Sequence, residues 1–275
     1  MKWFKVSSSM IAFILATLCF SGVGFATGKD ITIKGSTTVL PIAQAAAEVF
    51  MEKHPSVNIS VQGGGSGVGI TSLIEKTCDI ADSSRKIKDE ETAKAKGNGV
   101  DVNVITIAMD GIAVIVHPSN KISSLTRQQI KDIYTGKVSD WSELGVAKGK
   151  IVVLSRDTSS GTYESFETLA LNKEKVRPDA LINASNQAIA TIVANTPGAM
   201  GYIGHGYLSK KVKAVTVDGI ECSRENILST KYPLSRALYM YTNGKPTGDV
   251  KAFIDFVLSK EGKKIVEQEG FVGLK

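Results

Sequence analysis

The chain has 275 residues, 43% of them hydrophobic and 22% charged, with only seven prolines, a composition that excludes the disordered and fibrous classes. Its formal net charge of +6 is dispersed, with no basic run longer than a few residues. That argues against nucleic-acid binding and suits attraction of a small anion.

The first segment reads as an export signal. Lys2 and Lys5 precede an apolar run from Met10 to Phe20, and Gly24-Phe25-Ala26 places small side chains three before and one before a cut after Ala26. The run falls short of the roughly 20 apolar residues that span a bilayer; the competing reading is an uncleaved anchor helix. Leu18 stands where a lipoprotein signal carries a small residue before Cys19, which argues against a lipid anchor. Residues 1–26 are read as a signal peptide and the mature chain as periplasmic. Roughly 250 residues remain, enough for one large domain or two small ones.

Short apolar strands then alternate with amphipathic helices. Ile31–Lys34 reads as a strand, followed by a helix with Val39, Ile42, Ala46, Val49 and Phe50 at three- and four-residue spacing. Val57–Val61 alternates as a half-buried strand does, and a helix carrying Ile70, Leu73 and Ile74 follows. Asp79–Ala81 and Val102–Ile107 read as strands, and the continuous apolar run Ile112–Val116 as a fully buried one. A helix is expected over Thr126–Tyr134 with a turn at Gly136, then a strand over Ile151–Leu154 and a helix with Phe166, Leu169 and Ala170. A helix holding Val250, Phe253, Ile254 and Val257 closes the chain. This alternation predicts an α/β fold with largely parallel sheets. Cys78 and Cys222 could pair in an exported protein or remain two free thiols. Neither lies in a C-x-x-C, and no metal or cofactor is expected.

One pattern recurs. Strand Ile31–Lys34 runs into Gly35-Ser36-Thr37-Thr38, strand Val57–Val61 into Gly63-Gly64-Gly65-Ser66-Gly67, and strand Ile151–Leu154 into Ser155 through Thr162. Each turn opens a helix, whose first N–H groups and positive dipole end form a ready anion site. Glycine admits close approach of a ligand, and hydroxyls add donors. Any one turn is also an ordinary N-cap; three together, the last with Arg156 inside it, favour a shared anion site at the carboxyl ends of the strands. A fourth segment, Asp79 to Arg85, ends a strand in two serines and a guanidinium. Arg85 is a fork of phosphate-type donors or a surface ion pair with Asp89 or Glu90.

These segments resemble the phosphate-binding protein of bacterial high-affinity phosphate ABC transporters. The matching pieces, in order, are GSTTVLP (35–41), GGGSGVG (63–69), DIADSSR (79–85), SRDTSSGT (155–162) and TPGAMGYIGHGYL (196–208). The resemblance implies a type II periplasmic binding protein: two Rossmann-like α/β lobes joined by crossover strands, with the ligand in the cleft between them. Lobe 1 would take residues 27–110 and 237–275, lobe 2 residues 111–236, with the crossings near Asp110 and Arg236. It implies a phosphate site from Thr37, Thr38, Ser66, Arg156, Ser160, Thr162 and the Gly161 N–H, with Ser36, Ser84 and Arg85 beside them. It implies membrane permease subunits as partners, a monomer, and no enzymatic activity. Many family members carry an aspartate where this chain has Ser84; that carboxylate accepts the proton of hydrogen phosphate and excludes sulfate. Sulfate, arsenate or molybdate therefore stay open as alternatives at this point.

A rival class is a secreted serine-dependent phosphohydrolase. Ser83-x-x-Lys86 fits a short serine-enzyme pattern, but no S-D-N, K-T-G, G-x-S-x-G or P-loop accompanies it. His54, His117 and His205 are far from the hydroxyl turns in sequence, and Trp141, Tyr202 and Tyr207 read as core or rim aromatics. A phosphate sensor or surface adhesin on the same fold is a further alternative.

Overall fold

The computed structural model describes residues 30–274; the expected signal peptide, its expected cleavage point and Cys19 lie outside them. In chain order the elements are β1 (Ile31–Gly35), α1 (Leu40–Lys53), β2 (Ile59–Gly63), α2 (Ser66–Ile74), β3 (Ile80–Ser83), α3 (Asp89–Gly97), β4 (Val102–Val116), β5 (Ser124–Leu125) and α4 (Arg127–Tyr134). They continue with β6 (Val152–Arg156), α5 (Gly161–Leu169), β7 (Leu181–Asn183), α6 (Asn186–Asn195), β8 (Ala199–Gly204), β9 (Lys213–Ala214) and β10 (Thr216–Val217). The last are α7 (Arg224–Leu228), β11 (Ser235–Asn243), α8 (Gly248–Leu258), α9 (Lys260–Gln268) and β12 (Val272–Gly273).

The main sheet runs β2-β1-β3-β11-β4-β8-β6-β7, with β9 and β12 also on β4. Its flanks are parallel, as helical crossovers require: β1 pairs with β2 and β3, and β6 with β7 and β8. Its middle is antiparallel, because β11 pairs with both β3 and β4, and β4 with β8. The largely parallel expectation therefore holds for the flanks alone. The two strands expected at Val102–Ile107 and Ile112–Val116 are one 15-residue strand, β4. At Gly111 it has no side chain because a β-carbon there would lie 2.8 Å from Cys222 Sγ and from Ile227.

β4 and β11 carry the chain between two apolar cores. One gathers Ile31, Ile33, Ile42, Ala46 and Phe50 with Leu238, Met240 and Phe253. The other gathers Ile112–Val116 with Ile130, Ile133, Phe166, Ile189 and Ile203. A third cluster packs α2 on Tyr239 and Tyr241. The buried stripe of α1 is the expected one, completed by Ala43 and Ala47, with Val49 at its edge. The capping box at Thr126 and Gln129 starts α4 as Ser/Thr-x-x-Gln does elsewhere. α3 escapes the periodicity because Ala95 alone of its residues is buried; its acidic first turn and Lys94 and Lys96 in its last suit the helix dipole instead. The closing helix is α8, and Ser259 then ends it and caps a separate α9.

Cys78 and Cys222 are free and buried in different cores. No helix among the described residues is long and apolar enough to cross a membrane, and those residues hold no cluster of three or more His, Cys, Asp or Glu fit for a metal ion.

Candidate functional site

The hydroxyl turns meet where the two cores face each other. β1 ends in Gly35, where a β-carbon would overlap the Asp82 carbonyl oxygen; this close approach lets Ser36 N–H donate to that oxygen at 2.9 Å. Ser36 Oγ accepts from the Thr38 and Val39 N–H groups at 3.1 and 3.4 Å, so it serves as the local cap. Thr37 and Thr38 follow at 7% and 1% exposure.

The second turn comes across from β2. Gly65 N–H donates to Gly35 O at 2.8 Å and Gly67 N–H to Ser159 O at 2.9 Å, and a β-carbon on Gly65 would stand 2.7 Å from Ser159 O. Ser66 is fully buried; its Oγ accepts from Ser84 N–H at 3.0 Å and lies 3.4 Å from Ser84 Oγ. The third turn folds on Asp157, whose carboxylate accepts from Ser159 N–H and Oγ–H. Ser160 Oγ then caps α5 by accepting from Tyr163 N–H at 3.2 Å. That leaves the first-turn N–H groups of Gly161 and Thr162 without intrahelical acceptors.

Arg156 is 1% exposed. Its Nε and Nη2 donate to the Asn183 and Ala184 carbonyls at 3.0 and 2.9 Å, while Nη1 has no partner. Asp157 stands 3.9 Å off. Burial pushes the guanidinium below its ordinary range, against the attraction of Asp157. A buried cation with one free donor edge is a strong demand for an anion.

The structure departs from the sequence reading at Arg85. Its guanidinium grips Glu91 with two bonds of 2.7 and 2.6 Å, and Nη1 also donates to Lys86 O. Nε makes a charge contact of 2.9 Å with Glu164, outside hydrogen-bond alignment. Burial works against its charge, yet the bond to Glu91 and the two carboxylates hold it above its usual range. The partner is Glu91 rather than Asp89 or Glu90; its carboxylate folds back over the start of α3, where it also accepts from Lys88 N–H at 2.9 Å. Asp82 is buried with Oδ1 unpartnered, and its carboxyl is pushed well above the usual range by desolvation.

Two residues escaped sequence reasoning. Asn186, fully buried at the start of α6, donates from Nδ2 to Thr37 Oγ1 at 3.1 Å and Thr38 Oγ1 at 3.0 Å. Arg236, on β11, donates from Nη2 to Thr38 Oγ1 at 3.2 Å and Thr162 Oγ1 at 3.1 Å, and pairs with Asp110. The signals existed: Ser185-Asn186 is another strand–turn–helix cap, and Arg236 is a lone charge in the apolar run of β11. Thr38 Oγ1 and Thr162 Oγ1 lie 2.9 Å apart, so hydroxyls 124 positions distant in sequence share one cluster. The histidine rings lie elsewhere: His54 stacks on Phe50, His117 bonds Ser119, and His205 bonds Gly270 O.

A family model described as a PBP superfamily domain matches residues 24–261. The phosphate-binding protein PstS of Bacillus subtilis is 34% identical over 248 residues, covering 88% of this chain and 80% of its own. A substrate-binding protein from Clostridium perfringens, solved with bound phosphate, is 38% identical with a TM-score of 0.84, covering 90% of this chain and all of its own. An ABC-type phosphate transport receptor from Vibrio cholerae is 33% identical with a TM-score of 0.74, over 89% of this chain and all of its own. The curled, mixed α/β sheet is that of type II periplasmic binding proteins.

Proposed function

The chain belongs to the PBP superfamily and, within it, to the phosphate-binding proteins of phosphate ABC transporters, and from this we propose that its cleft captures inorganic phosphate and hands it to an ABC importer. The observation that carries the reading is Arg156 Nη1, buried without a partner. A doubly charged ion leaves water only where many donors replace its shell. Arg156, the hydroxyls of Thr37, Thr38, Thr162, Ser66 and Ser84, and the N–H groups of Gly161 and Thr162 are such a set. Ser160 and Ser36 serve it as caps, and Arg85 stands outside it, tied to Glu91 and Glu164.

The lobes of this reading are residues 27–110 with 237–275, and 111–236, hinged where Asp110 faces Arg236 across β4 and β11. The mature chain works as a monomer in the periplasm, engages membrane permease subunits in its closed form, and binds no nucleic acid. This reading is of binding without catalysis, in line with the relatives' names as phosphate-binding and substrate-binding proteins. Titration calorimetry with phosphate, sulfate, arsenate and molybdate tests the reading. Phosphate binding with at least about a tenfold loss in Arg156→Ala is expected, the scale of a hydrogen bond to a charged group; no heat with phosphate overturns it.

A further inference from the structure

The strands of residues 111–236 have two ends, and the hydroxyl cluster occupies only one. β4 finishes level with the starts of its antiparallel neighbours β8 and β9, where Val116 pairs with Met200 and Lys213. β6 starts at the same level, with Val152 opposite Ala199. Residues 117–121, 145–151, 196–198 and 208–212 are therefore gathered at one pole, opposite the carboxyl ends of β6 and β8 that reach the cleft. Their side chains meet there. Lys213 Nζ donates to Asn120 O. Asn120, Lys121, Lys148 and Pro197 line one hollow, and Pro118, Ser209 and Lys211 line part of the next.

Six lysines stand on this pole: Lys121, Lys148, Lys150, Lys210, Lys211 and Lys213. All but Lys213 are exposed, and none of them makes a salt bridge among the described residues. Burial and the nearby Lys121 both pull the Lys213 ammonium below its ordinary range, so these cations lie close enough to repel. The carboxylates beside them are Asp140 and Glu143, which accept from the Ser142 and Gly149 N–H groups and from those of Ser139 and Asp140. At the margins, Glu269 shares a hollow with Lys211, and Asp179 is held by Arg177. A positive surplus remains. It belongs to this half of the chain: residues 111–236 hold 16 Lys and Arg against 11 Asp and Glu, whereas residues 27–110 with 237–275 hold 15 against 16.

Clustered, mutually repelling cations favour an extended anionic partner. All six are lysines, compact hydrated point charges rather than bidentate forks. Lysine is depleted from protein–protein interface cores, where tryptophan, tyrosine and arginine anchor. The exposed large hydrophobic residues Val68, Val104, Leu181, Ile182 and Leu228 all lie outside these loops. An anionic lipid surface needs charge alone, and each lysine held near it adds about fivefold to binding. We infer that this pole rests the mature chain on an anionic phospholipid surface, leaving the cleft, at the other end of the strands, open to solution. This goes beyond phosphate capture and does not depend on it, since no cleft residue takes part.

The test is co-sedimentation of the mature chain, without phosphate, with vesicles of equal parts phosphatidylglycerol and phosphatidylcholine, against vesicles of phosphatidylcholine alone. Binding is expected to the first and not to the second, and about 1 M salt, where the Debye length is about 3 Å, should release it. Soluble glycerol phosphate at matched ionic strength should leave the protein bound. Lys121→Gln/Lys148→Gln/Lys210→Gln/Lys211→Gln should bind about a hundredfold more weakly or worse. Lys94→Gln/Lys96→Gln/Lys260→Gln/Lys264→Gln makes the same change in net charge on exposed residues elsewhere, and should lose only several-fold. Arg156→Ala, altered in the cleft, should bind as wild type does. No wild-type binding to the anionic vesicles, or equal binding to both kinds, overturns the inference. Displacement by glycerol phosphate would make the pole a site for a free anion, and equal losses in the two fourfold variants would make net charge the cause; either overturns it too. Whether the cleft binds phosphate does not enter these outcomes.

Discussion

Gly161 stands against Ser66 so closely that a β-carbon on the glycine would overlap Ser66 Oγ and lie 2.9 Å from Ser84 Oγ. The segments that follow β2, β3 and β6 are therefore packed to within a methyl group of one another. Gly161 begins α5 with an ordinary backbone conformation, so Gly161→Ala carries no φ penalty and its whole cost is crowding. Overpacking of this kind costs about 1–3 kcal/mol. Melting without phosphate should fall by several degrees on that scale, and phosphate affinity by about tenfold to a hundredfold. Calorimetric titration beside a thermal melt separates the two, and a loss of melting temperature with affinity intact would contradict the convergence.

The contact between Glu164 and Arg85 joins the two sides of the cleft. Glu164, on α5, lies 2.9 Å from Arg85 Nε and 3.0 Å from Lys88 Nζ, beside the bond from Ser165 Oγ to Ser84 O. Glu91 still holds Arg85 if Glu164 is neutralised, so Glu164→Gln should fold normally. It should release phosphate several-fold faster, as loss of a partly exposed ion pair worth about 1 kcal/mol implies. Salt should narrow the difference between variant and wild type. Stopped-flow release at low and high salt measures both, and equal rates would show that the pair fastens nothing.

The three turns were legible because each needs only local chemistry: a strand, a glycine that admits close approach, and a hydroxyl before a helix. Their convergence was not, since Thr38 and Thr162 meet only through the antiparallel middle of the sheet, where β4 crosses between cores as one strand. Arg236 stands out as a lone charge in β11, but its contacts were hidden for the same reason: its partners Asp110, Thr38 and Thr162 lie 74 to 198 positions away. Arg85 was open between an anion donor and an ion pair with Asp89 or Glu90; its bonds run to Glu91, six positions on, and its charge contact to Glu164, from another element. Asn186 carried the same cap signal as the three turns, but with no glycine beside it.

Cys78 and Cys222 should be inert in the folded protein. Both are buried, and burial pushes the Cys78 thiol up to about 12 and raises that of Cys222 as well. The thiolate is the reactive form, so a thiol reagent should label the native mature chain only as fast as it opens locally. In denaturant without reductant both should label at once. A denatured chain with no reactive thiols would reveal a disulfide and contradict the placement of the two residues in separate cores.

Asp82 sets a pH dependence of stability. Its carboxyl is 2% exposed, Oδ1 has no partner, and desolvation raises its folded-state ionisation well above the value of about 3.9 in the unfolded chain. The folded state thus holds a proton that the unfolded state has lost. Its stabilising effect is complete below the unfolded value and disappears as pH rises through the folded one. Asp82→Asn keeps the shape and removes the titration, so the variant should melt higher than wild type at neutral and alkaline pH. The gap should close in acid, near the unfolded value. Melting curves over a pH series without phosphate check this. A variant that melts lower at alkaline pH would mean that Asp82 is ionised and held by a cation, and a gap independent of pH would mean that its proton plays no part.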